Sequence, residues 1–99
     1  MTKKEIYNAI GWFYFIKNKK DFEETRKEIE RLQITDVIIY KDNIEIVLGR
    51  PGLLMGLRGY NIDNLYVYLK EEFELKKLHI SITENTDISN LFNYEYVSY

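Results

Sequence analysis

The sequence predicts an α+β domain in which a three-stranded mixed sheet is covered by helices, with one helix added at the N-terminus. Apolar residues recur at helical spacing over residues 3–18, 21–32 and 60–73. Between the second and third of these stretches lie two short runs of β-branched and aromatic residues, and a third alternating run follows near residue 80. The chain of 99 residues is the length of one domain, and its 45% apolar content supports a single modest core.

The first helix is signalled by Ile6, Ala9, Ile10, Phe13 and Ile16, with lysines in its last turn. Residues 1–20 are expected to form this aromatic N-terminal helix. A second helix follows from Asp21, where Asp21 and Glu24 make a D-x-x-E cap and Phe22, Ile29 and Leu32 share one face. The period then changes from 3.6 to 2. Val37–Tyr40 and Ile44–Leu48, joined by Lys41-Asp42-Asn43, read as a hairpin. Ile62, Leu65, Tyr66, Leu69 and Phe73 describe another amphipathic helix. Leu78, Ile80 and Ile82 alternate with His79 and Ser81 as the last strand of the core. Residues 84–99 form an acidic, tyrosine-rich tail with no assigned structure.

Gly49–Gly59 (GRPGLLMGLRG) is the unusual stretch. It holds four of the five glycines and the only proline, together with Leu53, Leu54, Met55 and Leu57. Pro51 suits the first turn of a short helix, where a missing N–H costs little. Leu53, Leu54 and Met55 of that turn would need core contacts. Gly56-Leu57-Arg58-Gly59 then turns the chain sharply into the next helix, with Asn61 as a candidate cap. Glycine at both ends of a two-residue link permits positive φ and close approach of another backbone.

Arg50-Pro51-Gly52, the following aliphatics, the G-x-x-G elbow, Ile62, Leu65 and the strand around Ile80 together resemble a type II KH domain. The form in question is seen in the ribosomal small-subunit protein that lines the path of the incoming messenger and in Era-type GTPases. The resemblance covers residues 21–83. It implies binding of single-stranded nucleic acid, RNA more than DNA, with the elbow clamping about four nucleotides of backbone. Arg50, Gly56, Leu57, Arg58, Gly59 and Ile62 are the residues it would place at that interface. Amides at a helix start favour a phosphate, and the bases would lie over an apolar groove between the helix and the sheet. If Gly56 and Gly59 both sit on the surface, aspartate at these positions should leave the fold intact and abolish binding, whereas unfolding would mean that they serve packing. Leu57 and Arg58 stand where two basic residues are usual in the family, so one charge is present instead of two.

Other readings stand beside these. Arg50 could pair with Glu45 instead of a phosphate, and Leu57 could be a contact or a core residue. Trp12, Phe13, Tyr14 and Phe15 exceed what one helix face can bury, so Trp12, Tyr14 and Phe15 are candidates for a partner surface or self-association. The alternative function is accordingly a KH-shaped protein-interaction module that has lost nucleic-acid binding, as a homodimer.

Charge and composition narrow the classes further. Net charge is −2, with five Lys against one Glu in residues 1–20 and three acids without a base in residues 84–99. That balance weighs against nonspecific duplex binding. There is no cysteine, so neither disulfides nor thiolate chemistry are available, and a cytosolic location is expected. The single histidine, His79, cannot make a zinc site alone. No apolar run is long enough to span a membrane. No phosphate loop, dinucleotide fingerprint or nucleophile elbow occurs, so no enzymatic activity, metal or cofactor is expected.

Overall fold

The computed structural model describes residues 1–85 and the backbone of 93–98. Helix α1 (Lys3–Lys17) begins with a capping box: the Glu5 amide donates to the Thr2 hydroxyl at 3.1 Å, and the Thr2 amide donates to the Glu5 carboxylate at 3.0 Å. Helix α2 (Phe22–Leu32) starts at Asp21, whose carboxylate accepts from the Glu24 amide at 3.0 Å. Strands β1 (Ile34–Tyr40) and β2 (Asn43–Leu48) form the antiparallel hairpin. Helix α3 (Pro51–Met55) carries Pro51 at its start, a short 3-10 turn occupies Leu57–Gly59, and helix α4 (Tyr60–Glu72) follows. Strand β3 (His79–Asn85) then runs parallel to β2.

A parallel neighbour requires a long crossover, and α3, the glycine elbow and α4 supply it. The elbow therefore lies within the connection that sets the parallel pairing. The sheet order is β1-β2-β3, extended at the β3 edge by an antiparallel β4 (Asn93–Ser98). That strand was not read from the tail, whose residues 86–92 and 99 lie outside the described ones.

Register explains the core. Ile39, Ile44 and Ile80 form one cross-strand row, and Val37, Ile46 and Ile82 the next. Five of these six are fully buried, Ile39 partly so, and Ile6, Ile10, Leu65 and Leu69 of the helices are buried in the same cluster. Residues on the opposite face, such as Ile38 and Tyr40, are exposed, so helices cover one side of β1 and β2 as period-2 alternation requires.

Helices α1, α2 and α4 all end without the usual glycine stop, α2 at Gln33 with φ 56°. After α1, the Lys19 amide donates to the Ile16 carbonyl (3.0 Å) and the Lys20 amide to that of Phe15 (2.8 Å), with Lys19 at φ 54°. After α4, the Glu74 amide donates to the Glu71 carbonyl (3.1 Å) and Leu75 to Lys70 (2.9 Å), with Glu74 at φ 51°. Both are Schellman closures with a charged residue where glycine is favoured.

Phe22 corrects the sequence reading of α2. It is 74% exposed, because at the first helical position it projects beyond the face that Leu32 buries.

Candidate nucleic-acid interface

The elbow is built from three positive-φ residues within four positions. Gly56 has φ 76° and ψ 176°, Arg58 φ 56° and ψ 23°, and Gly59 φ 76° and ψ 9°. The Gly56 conformation belongs to a region essentially restricted to glycine. The Gly56 amide donates to the Gly52 carbonyl at 3.0 Å, ending α3, and the Gly59 amide donates back to Gly56 at 3.1 Å. Gly59 then caps α4, and no side chain caps that terminus. The tip faces solvent: Leu57 is 80% exposed, and Arg58 is exposed as well.

The base of the elbow is held by Asn61. Its side-chain amide donates to the Leu54 carbonyl at 2.7 Å and to the Tyr14 hydroxyl at 2.9 Å, both buried. Asn61 is therefore not the cap of α4. It lies inside the first turn and ties α3, α4 and α1 together. Tyr14 is 1% exposed, and burial raises its phenol pKa to about 12, with the Asn61 hydrogen bond opposing that rise.

This network also defines why Gly56 is glycine. A Cβ there would lie 2.6 Å from the Asn61 Cβ and 3.1 Å from its backbone nitrogen. Of the two roles open to Gly56, surface or packing, it therefore serves packing as well as the turn. Ile62 is corrected too, since it is fully buried and supports α4 from within the core. Tyr14 leaves the list of partner-surface residues for the same reason. Trp12 stays exposed and Phe15 is half-buried, their rings edge-to-face at 5.5 Å, on the side of α1 that faces α2.

Arg50 starts α3, and its amide donates to the Leu32 carbonyl at the end of α2 (3.1 Å). Its side chain is exposed and does not pair with Glu45, which accepts from the Thr83 hydroxyl at 2.7 Å. Among the described residues, neither Arg50 nor Arg58 enters an ion pair.

Beside α4 runs a groove of 460 Å³ lined by Phe13, Ile16, Lys17, Asn61, Asn64, Val67, Tyr68 and Glu71. Its second wall is α1, not the sheet. The N-terminal helix packs along α4, while the β3 edge is paired with β4. Lys17 brings a cation to this groove, although it is bound to Glu28 at 3.1 Å, and Asp63 places an acid in the first turn of α4.

Asn61 and Tyr14 are the contributors that sequence reasoning missed or misplaced. Their partners lie 7 and 47 positions from Asn61, so no local pattern announces them. Among the described residues, no group of three or more His, Asp or Glu could hold a metal, and no helix is long and apolar enough to cross a membrane. Compared with known protein families, curated proteins and solved structures, the chain matches none.

Proposed function

We propose that the Gly56–Gly59 elbow binds single-stranded nucleic acid, RNA in preference to DNA, in the manner of a type II KH domain. The observation that carries this reading is the contrast between the elbow's base and its tip. Asn61 and Tyr14 lock the base in the core, whereas Leu57 and Arg58 are left exposed at an uncapped helix N-terminus. Leu57, 80% exposed at the tip, sets an apolar contact beside the Arg58 charge. The element order supports the same reading: an antiparallel hairpin, then helix, glycine elbow and helix, then a parallel strand.

In this reading the Arg58 guanidinium receives a phosphate at the positive end of the α4 dipole, the Gly59 and Tyr60 amides being engaged by the Gly56 and Leu57 carbonyls, with Arg50 as a second cationic contact. The adjoining apolar surface takes the bases, and here it includes α1 through Phe13, Ile16 and Lys17. Two or three phosphates are within reach of Arg58, Arg50 and Lys17, so binding is weak and only moderately salt-dependent. The slope of log affinity against log salt is expected at about −1.4 to −2.1, from about −0.7 per phosphate on single strands. Fluorescence anisotropy with short single-stranded RNA at several salt concentrations measures it. Arg58→Ala should make the slope shallower by about 0.7 and weaken all sequences alike. No binding at the lowest salt, or a slope unchanged by Arg58→Ala, would refute the assignment.

A further inference from the structure

Between α1 and α2 runs an apolar groove of 430 Å³ that shares no lining residue with the elbow. Trp12 and Phe22 stand on it 58% and 74% exposed, and Phe15 and Ile29 line it half-buried. Gly11 also lines it. Among the described residues, nothing requires glycine there. Gly11 lies inside α1 and outside the positive-φ positions, and an added Cβ would meet nothing closer than Ile29 Cδ1 at 3.9 Å, an ordinary contact. Glycine within a helix is destabilising relative to alanine. The missing side chain leaves room that no described residue fills.

We propose that this groove is the interface of a homodimer, in which Trp12 of each chain enters the other's groove and packs over Gly11. Trp12 adjoins Gly11 on the same helix, so a two-fold axis beside α1 brings each exposed indole to the opposite groove, as a self-complementary interface requires. The rim carries one charge of each sign, Arg26 and Glu30, paired at 2.8 Å. It therefore selects neither a polyanion nor a polycation, and it offers both signs to an inverted copy. Helices of 15 and 11 residues present a face of about 20 by 20 Å, roughly 400 Å² per partner, the size of a weak and concentration-dependent interface.

Trp12 is the only tryptophan, so its emission reports the interface directly. Sedimentation of the full chain across a concentration series should give twice the monomer mass of 12.0 kDa at high concentration, with Trp12 emission shifting to the red on dilution. Gly11→Ala is the discriminating variant. The monomer should keep its helical circular dichroism and melt no lower than wild type, while dimer affinity falls at least about tenfold because a methyl group is forced into the packed interface. Trp12→Ala should also yield a folded monomer, and Arg58→Ala should leave the dimer unchanged, separating this inference from the elbow's function. A constant monomer mass with concentration-independent emission would overturn the proposal and leave the groove to a helix of another protein. A dimer whose affinity is unaffected by Gly11→Ala or by Trp12→Ala would overturn it equally.

Discussion

Replacing Gly56 by alanine is expected to cost far more than an exposed loop substitution. The backbone at φ 76° and ψ 176° disfavours any Cβ, and the new atom would lie 2.6 Å from the Asn61 Cβ. Backbone strain of about 1–3 kcal/mol and overpacking of about 1–3 kcal/mol, less about 0.4–1 kcal/mol for the stiffer unfolded chain, give a net loss of about 1–6 kcal/mol, centred near 3 kcal/mol. For a domain of this size, that lowers Tm by roughly 10–25 °C. Urea unfolding followed by circular dichroism measures the loss. Gly52→Ala is the internal control, since Gly52 lies inside α3 with nothing within 4 Å of its added Cβ, and it should be neutral or slightly stabilising. Because the nearest obstacle is the Asn61 Cβ, Gly56→Ala and Asn61→Gly should be non-additive, with a coupling of about 1–2 kcal/mol in a double-mutant cycle. A Gly56→Ala loss below about 0.5 kcal/mol, or strict additivity with Asn61→Gly, would refute the account of the elbow's base.

Two further outcomes follow from the same geometry. Tyr14 has a phenol pKa raised by burial from 10.0 to about 12, so the folded state holds its proton after the unfolded state has lost it. The stability this contributes is complete below pH 10 and is lost as pH rises from 10 to 12, by about 2–3 kcal/mol. Alkaline unfolding curves should show that loss in the wild type and not in Tyr14→Phe. The variant should itself be less stable at neutral pH by about 1–3 kcal/mol, since one Asn61 N–H is left unpaired in the core. Lys19→Gly and Glu74→Gly, at the left-handed positions that end α1 and α4, should each raise stability by roughly 0.5–1 kcal/mol in thermal melts.

The element plan was legible because it rests on local periodicity. Ile6, Ala9, Ile10, Phe13 and Ile16 announce α1, and Ile44, Ile46 and Leu48 alternate as β2 does. The elbow was legible because only glycine meets its backbone demands cheaply, and Pro51 marks the helix before it. What remained hidden depends on partners distant in the chain. Ile62 and Leu57 are similar aliphatics five positions apart, yet one is fully buried and the other 80% exposed. Helix phase within the folded crossover decides between them. Lys19 and Glu74 close their helices by hydrogen bonds in a conformation that composition disfavours, so no glycine pointed to them.

The sequence by itself determined the α+β order, the hairpin, the short Pro51 helix and the Gly56–Gly59 break, all set by residues within a few positions of one another. Only the tertiary structure decided what those features are for. It drew Asn61 onto Tyr14 and Leu54, made Gly56 a packing glycine as well as a turn, and placed α1 beside α4 along the groove that adjoins the elbow. It also set Trp12 and Phe22 on an open groove when either could have been core. The physical reason is that dihedral preferences and periodicity act along the chain. Burial of a polar amide and clash with a Cβ exist only once segments as distant as Tyr14 and Asn61 are brought within hydrogen-bonding distance.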